Sequence, residues 1–560
     1  MKKSVKITLW VLGSLAVLVI GVFLGADILA SQIVKREVSK TFAHMPDADA
    51  SIGGVYLNLL SGSAIVKDIS FSTHSLQLED EESLDRAPGL AMYIPTLAVW
   101  NISYAELFRH RRLVVYKISL DEPKALVYLD EEHPESILPT IPRDTTIEKA
   151  GNWLRDIAVS HIEIDDFSGR MKSTSSPLHI AIDSLSVELA AINYQLSDVS
   201  HQDSAFRFDE SNYSVSIASA KVETPDGMVA IEMRDFSIQP SEVSDQPSGE
   251  SDQLFNIQWG YTRVKNLIDH TKMAEMAKEP ITWIDMELNS VKLSPFDPIK
   301  KIETEEWSLD RIDVDVKRMH VCRDERFKPK KPFGTPQEFL RSLPIMFQIK
   351  EVNALARIVD VELYTTAKNC GKLHVKNSHA WMKNVSNKPG AVWHNRAKAP
   401  FGDKGHVDAR YDFTLDKASS FELSLQGEEI ELSDMNPFIR PLVGITCSCH
   451  VDKVEANYKG DKTIAKGTFG FLYHGLDVLV HKEDDIPYKI VTQNADLFTG
   501  LANSLVPKSN PTAVDIHPRR YSVEWTRDVW QPYPLYLFGP CIDGIKMTML
   551  PGLYVHKQVN

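Results

Sequence analysis

The sequence predicts a mainly β protein, in which an N-terminal transmembrane helix precedes an elongated, curled antiparallel β-sheet that forms a groove and carries a few short capped helices. Two observations lead to this prediction. Apolar and polar residues alternate along many short stretches after residue 50, and a long uncharged apolar run lies near the start of the chain. The chain has 560 residues, of which 43% are hydrophobic and 25% charged. That composition is ordinary for folded protein, and the length indicates two domains or an elongated fold.

The apolar run from Ile7 to Ala26 contains no charged residue. About 20 such residues suffice to cross roughly 30 Å of hydrocarbon as a helix. The alternative is a signal peptide cleaved near Ala30. We favour an uncleaved anchor over residues 1–30, because a signal peptide usually has a shorter apolar core of about 7–15 residues, and Ile28 is not the small residue expected two positions before Ala30.

The orientation of this anchor is not decided by the flanking charges. Three lysines precede the apolar run, and Lys35, Arg36 and Lys40 follow it, so the excess of basic residues on either side is nearly balanced. Only a short tail precedes the run, whereas the bulk of the chain follows it. This arrangement favours a cytoplasmic N-terminus with the large domain outside the cytoplasm.

The alternation is clearest in four stretches, Ser160–Phe167, Tyr213–Ile217, Tyr411–Leu415 and Phe421–Leu425. Each predicts a strand with one apolar face and one solvated face, which is typical of antiparallel sheet rather than buried parallel sheet.

Several strands change the phase of this alternation midway. The apolar residues move from even to odd positions between Ile182 and Leu185, and from odd to even positions between Met233 and Phe236. A slip of one residue would expose every apolar side chain, so we predict a bulge or bend at each change. Repeated bends would curl the sheet into a groove.

Short helices are predicted where capping boxes occur, at Ser103–Glu106, Thr145–Glu148 and Thr335–Glu338, the last with Pro336 at the first helical position. A further helix is predicted around Asn494–Leu505.

The clearest break in the chain is 239–253, which is rich in proline, serine and acidic residues. This composition indicates a linker or long loop. We therefore predict a β-rich N-terminal region over 31–238 and a β-rich C-terminal region over 254–560.

The charge and the cysteines narrow the possible partners and compartments. The net charge of −14 disfavours nucleic acid, whose binding proteins need a concentrated positive surface. The five cysteines are too few and too scattered for a disulfide scaffold, and their odd number leaves at least one thiol free. They are Cys322, Cys370, Cys447, Cys449 and Cys541.

One cluster has the residue types of a metal site, Cys447-Ser448-Cys449-His450. On a strand the two sulfur atoms would share one face while His450 points to the other, so the spacing does not gather three ligands. We interpret these cysteines as small buried thiols.

The acidic groups Glu79–Glu82, Asp165-Asp166 and Glu428-Glu429 are predicted to be solvated rather than catalytic pairs. The basic residues of 323–331 are predicted to form an ordinary surface loop, with contact to anionic headgroups as the alternative. The aromatic stretch Tyr521–Phe538 is predicted to close the core, with a membrane interface or partner surface as the alternative.

No nucleophile elbow, zinc-protease, phosphate-binding or dinucleotide-binding motif occurs in the sequence. We therefore predict a protein that is not an enzyme, and we name no catalytic, cofactor-binding or metal-ligating residue.

The order of these features resembles the AsmA-like family of bacterial envelope proteins. The residues that carry the resemblance are the hairpin Gly54–Asp68, the strand–helix–strand stretch Leu97–Val127, and Leu425–Leu476 with its Asn436-Pro437 helix. Two features depart from the family pattern. Cys447-Ser448-Cys449 replaces a usual glycine, and Pro532, Pro534 and Pro540 are expected to break any C-terminal helix.

The resemblance implies an elongated, curled sheet with an apolar concave face, related to bridge-like lipid-transfer proteins. It implies a single-pass protein of the bacterial inner membrane whose periplasmic bulk binds or conducts phospholipid or another acyl-chain lipid between membranes, or supports outer-membrane assembly. About twenty strands stacked about 4.8 Å apart would reach on the order of 100 Å, so an outer-membrane or periplasmic protein partner, or a local role at the inner membrane, is expected.

Two other functions compete with lipid binding. The chain could be an envelope scaffold whose sheets close into sandwiches and whose loops or aromatic C-terminus bind protein partners. It could also be an enzyme with an unrecognised site, which would need a compact pocket with convergent polar groups.

Overall fold

The structure is a computed structural model that describes residues 27–33, 35–36, 48–73, 89–129, 156–173, 179–195, 206–208, 213–224, 228–241, 254–296, 307–343, 346–366, 368–482, 494–512, 517–551, 554 and 557–559. The chain divides into two compact units, Met1–Trp259 and Gly260–Asn560. Both are mainly β, which confirms the predicted fold class at that level.

The described part of unit 1 is a sheet with one short helix between two of its strands. Its elements are β1 (Ala48–Asn58), β2 (Ser63–Thr73), β3 (Gly89–Ile102), α1 (Tyr104–His110), β4 (Arg112–Asp121), β5 (Lys124–Leu129), β6 (Asp156–Ser173), β7 (His179–Gln195), β8 (Phe206–Phe208), β9 (Tyr213–Glu223), β10 (Val229–Pro240) and β11 (Phe255–Trp259).

The strands of unit 1 pair largely in chain order. β1 pairs with β2, β2 with β3, β6 with β7, β7 with β9, and β9 with β10, all antiparallel. β4 and β5 act as one strand interrupted at Glu122 and Pro123, because both pair with β3 on one side and with β6 on the other.

The prediction of an antiparallel sheet is right for most strand pairs and wrong for three. β6 runs parallel to β4 and β5, and in unit 2 β14 (Trp307–Asp324) runs parallel to β15 (Phe347–Tyr364). More than twenty residues connect the two strands in each case, which is long enough for a crossover. Alternation reports that one face is apolar, but it does not report strand direction.

Unit 2 contains further strands and most of the described helices. Its remaining strands are β12 (Thr262–Asn266), β13 (Ile281–Phe296), β16 (Cys370–Ser386), β17 (Val392–Phe401), β18 (Gly405–Thr414), β19 (Phe421–Glu431), β20 (Ile445–Gly460), β21 (Ile464–Val480), β22 (Ser509–Asn510), β23 (Arg520–Thr526) and β24 (Gln558–Val559). Its helices are α2 (His270–Ala277), α3 (Pro336–Arg341), α4 (Asn436–Val443), which follows a 3₁₀ turn, α5 (Ala495–Leu505) and α6 (Tyr533–Met549).

Three predicted helix positions are confirmed. Ser103 caps α1 by accepting a hydrogen bond from the backbone N–H of Glu106, and Thr335 and Glu338 form the complete capping box of α3. α5 matches the helix predicted at Asn494–Leu505. The helix predicted at Thr145–Glu148 lies outside the described residues.

The expectation that prolines prevent a C-terminal helix is wrong, because α6 begins at Tyr533 and runs to Met549. Pro532 is the N-terminal cap and Pro534 lies in the first turn, where a backbone N–H has no helical partner to lose. Pro540 lies inside the helix and is buried. Tertiary packing along the helix stabilises it despite this residue.

In the described part of the chain, no helix is long and apolar enough to cross a membrane. The predicted span, Ile7 to Ala26, lies outside the described residues. The predicted linker 239–253 begins inside β10, since Gln239 and Pro240 pair with Asn256 and Phe255 of β11, and its residues 242–253 lie outside the described residues.

Candidate functional site

Apolar side chains on one face of unit 1 lie in rows that cross the sheet from strand to strand. In one row, Ile118 pairs with Val99 on one side and with Ile162 on the other, and Ile162 pairs with Leu189. Paired residues place their side chains on the same face, so each row is a continuous apolar strip.

We call this surface the open apolar face. It comprises Ile52, Val55, Leu57, Val66, Ile69, Phe71, Met92, Ile94, Leu97, Val99, Val115, Ile118, Leu120, Val127, Val159, Ile162, Ile164, Phe167, Met171, Ile180, Ile182, Leu185, Val187, Leu189, Val215, Ile217, Val222, Ile231, Met233, Phe236 and Ile238.

The open apolar face stays on one side because the strands bend along a common line. Residues with left-handed backbone conformation lie on this line in β2, between β4 and β5, and in β6, β7 and β10. They are Asp68, Glu122, Asp166, Ser184 and Asp235, with φ between 48° and 57°. Such a residue interrupts the alternation and turns the next apolar side chain back to the same face.

This line confirms the bends predicted at the two phase changes. Ser184 lies between Ile182 and Leu185, and Asp235 lies between Met233 and Phe236. The pairing of β9 with β10 keeps the same register on both sides of Asp235. β9 and β10 therefore bend together without an unmatched residue, whereas the pairing of β6 with β7 shifts register on both sides of Phe167.

Most side chains of the open apolar face are neither fully buried nor fully exposed. Val55, Ile94, Val115 and Val159 are buried, whereas Ile231 is 38% exposed. In the described part of unit 1, α1 contacts β4 at one end of the sheet, and no described helix runs across the face. The surface can therefore accept apolar ligand groups through area rather than through individual polar contacts.

Unit 2 has a comparable set of rows, but a helix covers part of it. We call this part the covered apolar face; it comprises Tyr411, Phe413, Phe421, Leu423, Ala456, Tyr458, Phe469, Phe471, Tyr521 and Val523. Helix α6 packs against β21 and β23.

Hydrogen bonds and ring contacts fix α6 on the covered apolar face. The hydroxyls of Tyr411 and Tyr533 are 3.0 Å apart, and the Tyr458 hydroxyl donates to the backbone oxygen of Leu537 at 2.5 Å. Tyr536 meets Phe421 edge to face with ring centroids 5.9 Å apart. The prediction that the aromatic C-terminal stretch closes a core is confirmed.

The opposite face of both sheets is polar and holds open cavities. The larger, about 1050 Å³, lies in unit 2 between charged side chains that include Arg410, Asp412 and Glu422. The other, about 410 Å³, lies in unit 1 beside Lys117, Glu163 and neighbouring polar groups. Cations and carboxylates alternate across this face, as on a solvated sheet surface.

The acidic pairs do not converge on a catalytic arrangement in the described residues. Asp165 is exposed on the polar face, and Asp166 is one of the left-handed residues of the bend. Glu429 lies 3.5 Å from His450, while Glu428 faces His406 on a neighbouring strand. The run Glu79–Glu82 lies outside the described residues.

The cysteine cluster lies on β20 with the predicted alternation. Cys449 is buried in the core of unit 2 and Cys447 packs against that core, whereas His450 points to the polar face and bonds Glu431 at 2.8 Å. Burial raises the pKa of the Cys449 thiol to about 12. No group of three or more potential metal ligands occurs among the described side chains.

The basic loop after β14 is used within the chain. Arg326 bonds the buried carboxylate of Asp324 at 2.7 Å, Arg323 contacts Glu325 at 3.2 Å, and Lys330 reaches the backbone oxygen of Ala277. These contacts fit the surface-loop interpretation.

Sequence reasoning assigned no residue to the open apolar face, and the register of the sheet identifies these residues. No protein-family model matches the chain, and no curated protein matches it. The resemblance to AsmA-like proteins therefore stays a prediction from the residues.

Proposed function

We propose that this chain is a non-enzymatic, membrane-anchored protein of the bacterial cell envelope that binds or conducts phospholipid along the open apolar face. The observation that carries the proposal is the set of in-register apolar rows from β1 to β10. With neighbouring strands about 4.8 Å apart, the rows extend for roughly 35 Å across the sheet. An acyl chain on this surface gains about 0.8 kcal/mol for each buried methylene group.

The binding chemistry is distributed over the face. Because the described side chains that form it are apolar, headgroup identity should have little influence and single truncations should have small effects. The predicted anchor and the AsmA-like pattern support an inner-membrane location with the two units in the periplasm.

A site-specific crosslink tests the proposal, since a membrane anchor would itself carry lipid through purification. A photoreactive residue replaces Ile217 on the open apolar face, and in a second variant it replaces Ser216, the adjacent residue on the polar face of β9. Irradiation of cells should yield a phospholipid adduct at position 217 and little at 216. Mass spectrometry of the purified chain identifies the adduct.

Function is then tested with Ile217→Asp against Ser216→Asp, which add the same charge to opposite faces of one strand. Lipid binding is read from a photoreactive residue at position 187. The yield of lipid adduct there should fall several-fold more in Ile217→Asp than in Ser216→Asp. The two variants should have similar circular dichroism spectra and melting temperatures. Equal adducts at positions 216 and 217, or none at either, would contradict lipid binding on this face.

A scaffold function has one observation in its favour. Trp530 and Phe538, in the aromatic C-terminal stretch, are 51% and 45% exposed, although their neighbours form a core. Protein crosslinks from position 538, without lipid adducts at 217, would favour a scaffold that binds protein partners.

A further inference from the structure

A helical segment that directly follows the predicted membrane span lies along the free edge of β1. Asp27 accepts a hydrogen bond from the backbone N–H of Leu59 at 2.8 Å, and Ser31 accepts one from Leu57 at 2.9 Å. Lys35 donates to the backbone oxygen of Gly53 at 2.5 Å. The segment therefore runs back along the strand, and Asp27 is fixed at the end where β1 turns into β2.

The same end of the sheet carries α1. The backbone N–H of Ile102 donates to the oxygen of Gly62 at 2.8 Å, which joins the end of β3 to the β1–β2 turn. Burial and the charge of Asp27 both raise the pKa of Tyr104, the first residue of α1. The turn, α1 and the helical segment thus meet at one end of unit 1.

Large apolar side chains are exposed at this end. Leu60 in the turn is 75% exposed, Phe108 on α1 is 72% exposed, and Ile28 and Leu29 of the helical segment are 60% and 64% exposed. Isolated exposed apolar residues are ordinary, but a group of them beside a membrane anchor is typical of an interfacial surface.

The charges of these elements are mainly positive. Arg109 and Arg111 are exposed beside Phe108. The carboxylates on the same elements are engaged, since Glu106 pairs with His110 at 3.1 Å and Asp27 binds the β1 edge. A basic surface is attracted to an anionic leaflet.

We propose that this end of unit 1 is seated in the headgroup layer of an anionic bilayer, with Leu60 and Phe108 inserted and Arg109 and Arg111 against lipid phosphates. The strands then lead away from the bilayer, and one end of the open apolar face meets the membrane. This inference uses the predicted anchor and does not depend on whether the open apolar face binds acyl chains.

The test uses the full chain in vesicles of phosphatidylcholine and phosphatidylglycerol, with nitroxide labels at Leu60→Cys or Phe108→Cys. The matched control is Asp49→Cys, an exposed position at the other end of β1, roughly 35 Å away at about 3.3 Å per residue. The unsubstituted chain, labelled in parallel, gives the background from the native cysteines. A label at Leu18→Cys reports on the anchor separately.

Labels at 60 and 108 should be several-fold more accessible to oxygen, relative to a water-soluble nickel chelate, than the label at 49. Replacement of Arg109 and Arg111 by glutamate, which reverses their charge, should raise the accessibility of the label at position 60 to the nickel chelate. Reversal of Lys124, exposed beyond the bend of the sheet, should not.

Nickel accessibility at 60 and 108 equal to that at 49, with label 18 buried in the bilayer, would overturn the proposal and leave this surface to a protein partner. If the label at position 18 is also accessible to the water-soluble nickel chelate, both the seating of this end in the bilayer and the predicted anchor are overturned. Lipid adducts at position 217 are measured independently of both results.

Discussion

The open apolar face of unit 1 and the covered apolar face of unit 2 are built by the same rule and differ in what lies on them. Both are rows of apolar residues paired across neighbouring strands, which are antiparallel except where β6 runs beside β4 and β5. The covered face consists largely of phenylalanine and tyrosine beneath α6, whereas the open face consists largely of isoleucine, valine and leucine. The comparison shows that apolar alternation defines a face without defining whether protein or ligand covers it.

The side chains fit these two situations. Phe421, Phe469 and Tyr521 are at most 2% exposed, and their rings pack in the core between sheet and helix. β-branched residues pack against their neighbours on a pleated surface and leave a shallower relief. This difference supports the proposal that acyl chains, rather than a fixed helix, cover the open apolar face.

The largest expected effect comes from removing a buried aromatic ring from the covered apolar face. Phe469→Ala should lower the free energy of unfolding by about 3–5 kcal/mol, because a fully buried ring leaves a cavity under α6. Ile217→Ala, on a half-buried side chain of the open face, should cost less than about 2 kcal/mol. Urea unfolding followed by fluorescence measures both, and equal losses would mean that the two faces are packed alike.

A medium effect is expected from adding one methyl group under α6. A Cβ on Gly544 would lie 2.2 Å from the ring of Phe469, so Gly544→Ala should destabilise unit 2 by about 1–3 kcal/mol through overpacking. Gly500 of α5 has no heavy atom within 4 Å of such a Cβ. Gly500→Ala should therefore be neutral or stabilise by up to about 1 kcal/mol. Thermal melting of the two variants sharpens the comparison, and a destabilised Gly500→Ala would contradict it.

The smallest expected effect concerns the polar face behind the covered rows. The hydrogen bond to Glu431 raises the pKa of His450 above 6.5, and Glu429, Asp452 and His474 face the same ring. Since the folded-state pKa is raised, this stabilisation is complete below about pH 6.5 and is lost as the pH rises through the raised value. His450→Gln should flatten the dependence of the melting temperature on pH between about 6 and 8. An unchanged profile would show that solvent screens the interaction.

Much of the fold was predictable from the sequence, because it depends on local patterns. The alternation in Ser160–Phe167 and the capping box at Thr335 each specify a conformation within a few residues. The parallel pairing of β4 with β6 and the length of α6 depend on packing between distant segments. The residues of the candidate face were not predictable one by one, since membership depends on register between strands.

The line of left-handed residues across unit 1 limits which insertions and deletions such a sheet can accept during evolution. Each strand bends opposite the bend of its neighbour, so an insertion or deletion inside a single strand would turn half of its apolar residues outward. A whole added strand keeps the face continuous if its alternation changes phase at the matching position, as β9 does between Ile217 and Val222 without a left-handed residue. In unit 2, Asn377 of β16 has the same conformation, with φ of 51°. Sheets of this kind are therefore expected to lengthen by duplication of complete strands, while the length of each strand on either side of its bend stays nearly constant.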